Sequence, residues 1–366
     1  MILVIISHTA HYRNSNDEIV GWGPTVNEIN YLLSTFKKIY HCAFLHNEAP
    51  PKSALPYISS RIEFIPLSPT GGKSLKEKFK ILYNMPQTLS RVSRTLDKAD
   101  IFQFRAPTGM GLYMIPYLTI FNNKKGWFKY AGNWKQPKPP LSYALQRWML
   151  KRQPRQVTIN GSWRRQQDHI ITFDNPCLTK QDREDGLKAV KSKNFKDGLK
   201  LYFVGSLIIN KGFDILMESL LIKKKFWKEI HIVGDGDLKE KYNHKFANVT
   251  FHGFCSKSEV NSIYANCDFV ILPSLSEGFP KVIAEGMNYG CIPAVSDVSG
   301  ISQVIKNNEN GFLINPINKN ELIKVFERIG AFTSSELTSM AKTNYELATN
   351  FTYDKYIERL KGTILN

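Results

Sequence analysis

The chain has 366 residues with 42% hydrophobic content, beyond the size at which one core usually keeps growing, so two domains are expected. Its net charge of +17 is uneven: residues 1–175 carry 24 Lys and Arg against 10 Asp and Glu, whereas residues 176–366 carry 25 against 22. The basic first half implies an acidic partner, and five scattered cysteines with no C-x-x-C exclude a disulfide framework and imply reduced thiols in a cytoplasm.

The opening MILVIIS has no basic n-region and no cleavage site, so no signal peptide is expected. The longest membrane-like run, Met110 to Phe121, is broken by Gly111 and Pro116 and is too short to span. There is no fixed-period repeat, low-complexity tract or metal-ligand cluster.

In chain order, Ile2 to Ser7 reads as a buried strand and His8 to Gly23 as a polar loop. Pro24 to Lys38 has helical spacing at Val26, Ile29, Leu32, Leu33 and Phe36. Ala43 to Leu45 and Ile62 to Leu67 are strand candidates, and Ser74 to Leu96 is helical with an interruption at Pro86. Ile101–Phe104, Trp127–Tyr130, Val157–Ile159 and Ile170–Phe173 are further strands. Such alternation argues for a parallel sheet with helices on both faces. Ligands then bind outside the carboxyl ends of the strands, which places His8–Gly23, Arg105–Gly111 and Ala131–Lys138 on the functional rim. Gly21 and Gly23 either let the backbone approach a phosphate or form a plain tight turn. His8 and His11 read as loop residues that could face a cleft.

A polar, charge-rich stretch, Gln181 to Lys200, separates this half from a second round of the same rhythm. Strands are expected at Leu201–Val204, Ile230–Val233, Val249–His252, Phe269–Leu272, Ile292–Val295 and Phe312–Ile314. Lys211 and Gly212 follow the first of them, where a lysine can neutralise phosphate oxygens as a point charge. After Phe269–Leu272 comes PSLSEGFPKVIAEGMNYG. Pro280 is expected in the first turn of a helix and Gly290 at its stop. A helix N-terminus favours an anion such as a diphosphate, and Glu277 before it and Glu285 within it could accept bonds from sugar hydroxyls. Five helical residues rise about 7.5 Å, enough for two hydroxyl-bearing rings flanking a diphosphate. The alternative has Glu277 capping the helix and Glu285 solvated.

Glu277-Gly-Phe-Pro followed by Glu285 resembles the E-x7-E signature of retaining glycosyltransferases of family 4, which have the GT-B fold. Phe203-Val-Gly-Ser-Leu, Lys211-Gly-Phe-Asp-Ile-Leu, Ile232-Val-Gly-Asp-Gly, Val249-Thr-Phe-His-Gly-Phe and Ser299-Gly-Ile through Asn310-Gly-Phe-Leu fall in that family's order. The match covers roughly Leu201 to Pro316. It implies an α/β protein of two doubly wound Rossmann-like domains facing each other across a cleft. The expected domains are 1–178 on the acceptor side, 179–344 for the nucleotide-sugar, and 345–366 as a helix crossing back.

The resemblance implies catalytic roles for Glu277 and Lys211. It implies donor contacts for Glu285, Gly278, Phe279, Pro280, Gly205, Ser206, Gly234, Gly253, Phe254 and Gly300. Gly21, Gly23, Arg105 and Asn133 would border the diphosphate and acceptor. Two departures stand out. Ser206 occupies a position where the family usually has an arginine, and Lys129-Tyr-Ala-Gly-Asn-Trp lacks the histidine many relatives carry; Asn133 or Arg105 would have to substitute.

The expected function is transfer of a sugar from a nucleotide-sugar donor to a glycan or lipid-linked acceptor, with retention, no metal and no cofactor. Cell-surface polysaccharide assembly is the expected setting. A nucleotide-sugar epimerase or hydrolase on the same fold is the rival within enzymes, and a basic nucleic-acid-binding protein the rival outside them. No nucleic acid is expected as partner. The expected location is cytoplasmic, peripheral on an anionic membrane face. The candidate contacts are Lys73, Lys76, Lys78 and Lys80, then Arg147, Lys151, Arg152 and Arg155, with Trp127, Trp134 and Trp148. The alternative is that these lysines are solvated helix faces and the tryptophans core.

Overall fold

The computed structural model describes residues 1–70, 75–223 and 225–366; Lys73 and the side chains of Lys76 and Lys78 lie outside the described residues. The chain packs as two units, Met1–Phe173 with Ile357–Asn366, and Asp174–Tyr356.

Among the described residues the first unit holds nine strands: β1 (Ile2–Arg13), β2 (Ile19–Trp22), β3 (Lys38–Leu45), β4 (Ala54–Pro56), β5 (Ile62–Leu67), β6 (Ile101–Ala106), β7 (Lys125–Tyr130), β8 (Val157–Ile159) and β9 (Ile170–Thr172). They form one sheet. Its parallel path runs β5-β3-β1-β6-β7-β8-β9, with β2 and β4 added antiparallel beside β1. The helices are α1 (Gly23–Leu32), α2 (Leu75–Leu96), α3 (Gly111–Pro116), continued by a π-turn at Tyr117–Phe121, and α4 (Leu141–Lys151).

Three expectations are corrected here. The loop expected at His8–Gly23 is largely strand: β1 runs on to Arg13 and pairs with β2 through His11↔Gly21, Tyr12↔Val20 and Arg13↔Ile19. His11 is sealed in this ribbon because both ring nitrogens find partners, Thr9 O at 3.0 Å and Tyr57 Oη at 2.8 Å. Second, α1 stops at Leu32, and Phe36 is buried by the turn that follows. Third, α2 continues through Pro86; its second half is held by tertiary packing, with Val92 and Leu96 fully buried against the sheet.

The second unit holds β10 (Lys200–Val204), β11 (Glu229–Val233), β12 (Val249–Gly253), β13 (Phe269–Leu272), β14 (Ile292–Ser296) and β15 (Phe312–Ile314). All pairs are parallel, in the order β12-β11-β10-β13-β14-β15. The helices are α5 (Lys180–Ser192), α6 (Phe213–Ile222), α7 (Lys239–Tyr242), α8 (Lys257–Asn266), α9 (Lys281–Asn288), α10 (Ile301–Val304), α11 (Lys319–Gly330) and α12 (Ser334–Ala348). Full capping boxes, Thr179/Asp182, Ser256/Glu259 and Thr333/Glu336, fix the starts of α5, α8 and α12. The four residues of β13 are all buried, as a central parallel strand covered on both faces requires.

The last helix, α13 (Tyr353–Thr363), ends on the first unit: Arg359 lies 5.0 Å over the Phe173 ring, and Gln156 Nε2 donates to Thr363 O at 2.8 Å. Among the described residues no helix is long and apolar enough to cross a membrane. Strand order reverses between β1 and β6 in the first unit and between β10 and β13 in the second. These are the switch points at which open α/β sheets bind ligands.

Candidate active site

The loops leaving β10 and β13 carry Lys211 and Glu277 to the switch point of the second unit. Backbone contacts build its floor. Gly205 N–H donates to Val233 O at 3.0 Å, and Gly234 N–H donates to Gly253 O at 2.8 Å, lacing the ends of β10, β11 and β12 together. Gly234 has φ +125°, and a Cβ there would stand 2.0 Å from Gly205 O, so only glycine allows this approach. Ser206 and Phe254 are exposed beside these turns.

Lys211 closes a single turn of 3-10 helix, Ile209–Lys211. Gly212 follows at φ +65°, where a Cβ would meet Pro273 O at 1.9 Å. The two loops are strapped across the switch point, with Leu275 N–H donating to Asn210 O at 3.0 Å and Ser274 Oγ to Lys211 O at 3.5 Å. The strap sets Lys211 Nζ 2.5 Å from Glu277 Oε1, with the lysine side chain 29% exposed and the carboxylate 11%.

Helix α9 begins at Lys281, one residue later than expected, because Pro280 is extended (ψ 125°) and serves as N-cap. No side chain caps this helix, so Glu277 is not its cap. Ile283 N–H turns back to Pro280 O at 3.1 Å, and the positive end of the helix dipole lies at this uncapped start, where an anion would be favoured. At the far end Gly290 (φ +74°) closes a Schellman motif: Cys291 N–H donates to Gly286 O at 2.9 Å and Gly290 N–H to Met287 O at 3.0 Å. Phe279 stacks on Phe351 with centroids 4.7 Å apart, so its ring anchors the loop.

Glu285 is not a solvated surface residue. Its Oε1 takes Lys257 Nζ at 2.9 Å and its Oε2 takes Tyr264 Oη at 3.1 Å, both from α8. Burial opposes the charge on Lys257, but Glu285 and Asp182 outweigh it and raise the lysine pKa. The Tyr264 phenol is raised well above its ordinary value, first by burial and then by Glu285. Sequence reasoning missed both partners; the Ser256/Glu259 capping pattern marks where α8 starts but not what it touches. It gave no sign of Ser296, nor that the hydroxyl of Ser299, quoted only as the head of a motif, is buried like that of Ser296 with no partner among the described residues. Ser299 has φ +54° and precedes Gly300, the N-cap of α10.

The remaining candidates lie in the first unit. Gly21 makes room for His11, since a Cβ would stand 2.3 Å from the imidazole. Gly23 opens α1 and its N–H donates to Ser53 O at 3.2 Å. Arg105 is committed to Glu28 Oε1 (3.0 Å) and Gln103 Oε1 (2.8 Å), with Lys129 Nζ on the same Glu28 oxygen at 2.6 Å. Asn133 Oδ1 accepts from Lys135 N–H at 3.0 Å, closing its own turn.

Residues 198–330 match the family Glycosyl transferases group 1. A segment of 162 residues, 42% of this chain, is 29% identical to an uncharacterised glycosyltransferase of Methanocaldococcus jannaschii. The chain spans less than half of that relative's length, 44%. Similarity to solved structures extends over both units. Sucrose-phosphate synthase of Thermosynechococcus elongatus superposes with a TM-score of 0.73 at 16% identity, covering 99% of this chain and 98% of that one. HepE of Anabaena, solved with UDP and glucose, superposes with a TM-score of 0.70 at 14% identity, covering 100% and 99%.

The fold is GT-B. Within this GT-B chain the matched segment includes the Lys211–Glu277 and Lys257–Glu285 ion pairs.

Proposed function

We propose that the protein is a retaining glycosyltransferase that moves a hexosyl unit from a nucleotide-sugar to a hydroxyl acceptor. The observation that carries this reading is the pairing of Lys211 with Glu277 and of Lys257 with Glu285 around the uncapped start of α9. Each carboxylate is held by a partly exposed lysine that a polyanion can draw away. A diphosphate at the α9 N-terminus would take Lys211, freeing Glu277 for the hydroxyls of the transferred sugar. Glu285 would accept from the ribose hydroxyls. The likeness of the overall fold to that of a protein solved with UDP and with UDP-glucose supports a nucleoside diphosphate as the carrier.

In the proposed step the bond from the anomeric carbon to the diphosphate oxygen breaks and its electron pair leaves with the diphosphate. The acceptor hydroxyl attacks on the same face and passes its proton to the departing diphosphate. Lys211 and the helix N-terminus stabilise the charge that develops there, so the step needs no metal. A thermal-shift panel of nucleoside diphosphates and nucleotide-sugars, followed by NMR of the product's anomeric configuration, tests the reading. No stabilisation by any of them, or an inverted linkage, refutes it.

The proposal places the protein on the cytoplasmic face of an anionic membrane, making glycans for the cell surface on a lipid-linked acceptor. The supporting surface is narrower than the sequence suggested. Trp127 and Trp134 are core, and Arg147 and Arg155 are spent on backbone carbonyls such as Trp134 O (2.7 Å) and Lys124 O (3.3 Å). What stands out is α4. Leu141, Leu145 and Trp148, at helical spacing on one face, are 89%, 47% and 51% exposed. Arg152 lies 4.6 Å over the Trp148 ring, and Lys138 and Lys151 are exposed at the helix ends. An apolar ridge with basic flanks suits anionic headgroups. Co-sedimentation with vesicles should rise with anionic lipid content and fall with salt and in Leu145→Glu/Trp148→Glu; indifference to all three removes the membrane.

A further inference from the structure

We propose that the first unit carries a binding subsite for an anionic saccharide, in an open cavity of about 450 Å³ between α4 and the segments on either side of it. The cavity is lined by Lys135, Lys151, Arg152, Arg164 and Arg165, with no carboxylate in its wall. Residues 101–167 hold 12 Lys and Arg and not one Asp or Glu. None of the five lining cations is in an ion pair among the described residues. Arg147, by contrast, is fixed on Trp134 O and Gln136 O and pins the neighbouring loop to α4. The pinned arginine is scaffold; the five are unneutralised.

Burial and crowding act on Lys151 in the same direction. Lys151 has its pKa lowered by burial, then by Lys135, Arg147 and Arg152. Like charges held together raise the free energy of the empty cavity, and a bound anion lowers it. Arg165 has φ +59°, a left-handed conformation uncommon outside glycine and asparagine, beside Arg164. Adjacent guanidinium groups suit carboxylate or phosphate oxygens bidentately.

Two indoles complete the wall. Lys151 Nζ lies 5.7 Å from the centroid of Trp134, and Lys135 Nζ lies 6.0 Å from that of Trp163. Trp163 Nε1 is buried with no partner among the described residues, so the indole meets the cavity through its apolar ring atoms. Apolar ring surface is of no use to an inorganic anion. With the cations it fits a ligand with an apolar ring face, hydroxyls and acidic substituents together. The volume is that of a small-ligand site and admits a sugar unit or two more readily than the path of a nucleic-acid strand. A uronate or a sugar phosphate has this chemistry. This inference rests on the transferase reading in one respect: there the subsite would hold an acidic unit of the acceptor.

Calorimetric titration of the whole chain, with tryptophan emission followed in parallel, separates the sources. The probes are a glucuronate-containing disaccharide, glucose 6-phosphate, a neutral disaccharide, inorganic phosphate, a thymidine oligonucleotide and phosphatidylglycerol vesicles. The acidic disaccharide or the sugar phosphate should bind about tenfold or more tighter than neutral disaccharide or phosphate, with salt-sensitive affinity and a change in emission. Arg164→Gln/Arg165→Gln should lose that preference, and Trp163→Phe should reduce the emission change, while nucleoside diphosphate binding stays unchanged. Phosphate binding as tightly as the acidic sugars, tighter binding of the oligonucleotide, vesicle binding that the arginine variant abolishes, or unchanged acidic-sugar affinity in the arginine variant overturns the proposal. Acidic-sugar binding without nucleoside diphosphate binding leaves the subsite standing and removes the acceptor role instead.

Discussion

Both units bring basic side chains onto a carboxylate near a switch point, and they do it in opposite ways. In the first unit Glu28 receives Arg105 and Lys129, and all three side chains are at least nine-tenths buried. In the second, Glu277 and Glu285 are covered by Lys211 and Lys257, whose side chains are 29% and 39% exposed. A buried triad cannot release one member without stranding charge in a low dielectric. A half-exposed lysine can leave, because water or an incoming phosphate replaces its partner. On the proposed function, the exposure of the cation, not the presence of the ion pair, separates scaffold from site.

The largest expected effect breaks the scaffold side. Glu28→Ala strands Arg105 and Lys129 and should cost about 3–5 kcal/mol of stability. Chemical denaturation should report it, with nucleoside diphosphate affinity of the folded fraction unchanged. A neutral outcome would mean the first triad is as open as the second pair.

Next comes the site side. Lys211→Ala should leave stability near wild type, since a partly exposed pair contributes little. Turnover should fall about 10²–10³-fold, the range for losing one electrostatic stabiliser of a leaving group. A variant that unfolds but, where folded, turns over normally would make Lys211 a structural residue.

Proton linkage sharpens the comparison from the first unit. His11 has its pKa lowered from the ordinary 6.5 to about 4, mainly by burial, and His41 beside it is also lowered by burial. On acidification the unfolded chain takes up its proton first. The His11 contribution is therefore intact above pH 6.5 and is lost as pH falls from there to about 4, by about 3 kcal/mol in all. His11→Gln should flatten that part of the stability–pH curve. An unchanged slope would mean that His11 is charged in the native state.

Much of the second unit was legible because most of its strands are short apolar runs, glycines follow β10 and β11 directly, Lys211 and Glu277 lie in the loops after β10 and β13, and Glu285 lies in the helix that follows. Lys257 and Tyr264 were not legible. They meet Glu285 only because α8 lies beside α9 in space, across 28 and 21 residues of sequence. The first unit misled for the same reason in reverse. Arg105 and His11 look like rim residues in the chain. Glu28, 77 residues from Arg105, and Tyr57, 46 residues from His11, turn them inward. Trp127 and Trp148 lie equally close to basic residues, yet one is 1% exposed and the other 51%; which face of β7 or α4 each occupies decides it.

The central proposal is that the lysine-covered carboxylates of the second unit receive a nucleoside diphosphate. Isothermal titration of UDP, GDP and ADP into the wild type and Glu285→Ala is the measurement. Glu285→Ala leaves Lys257 partly exposed and should preserve the fold. At least one nucleoside diphosphate should bind the wild type, and the variant should bind it more weakly by about 1.5–3 kcal/mol, the range for hydrogen bonds to a charged group. Equal affinity in a folded variant, or no binding of any of the three to the wild type, would contradict the account.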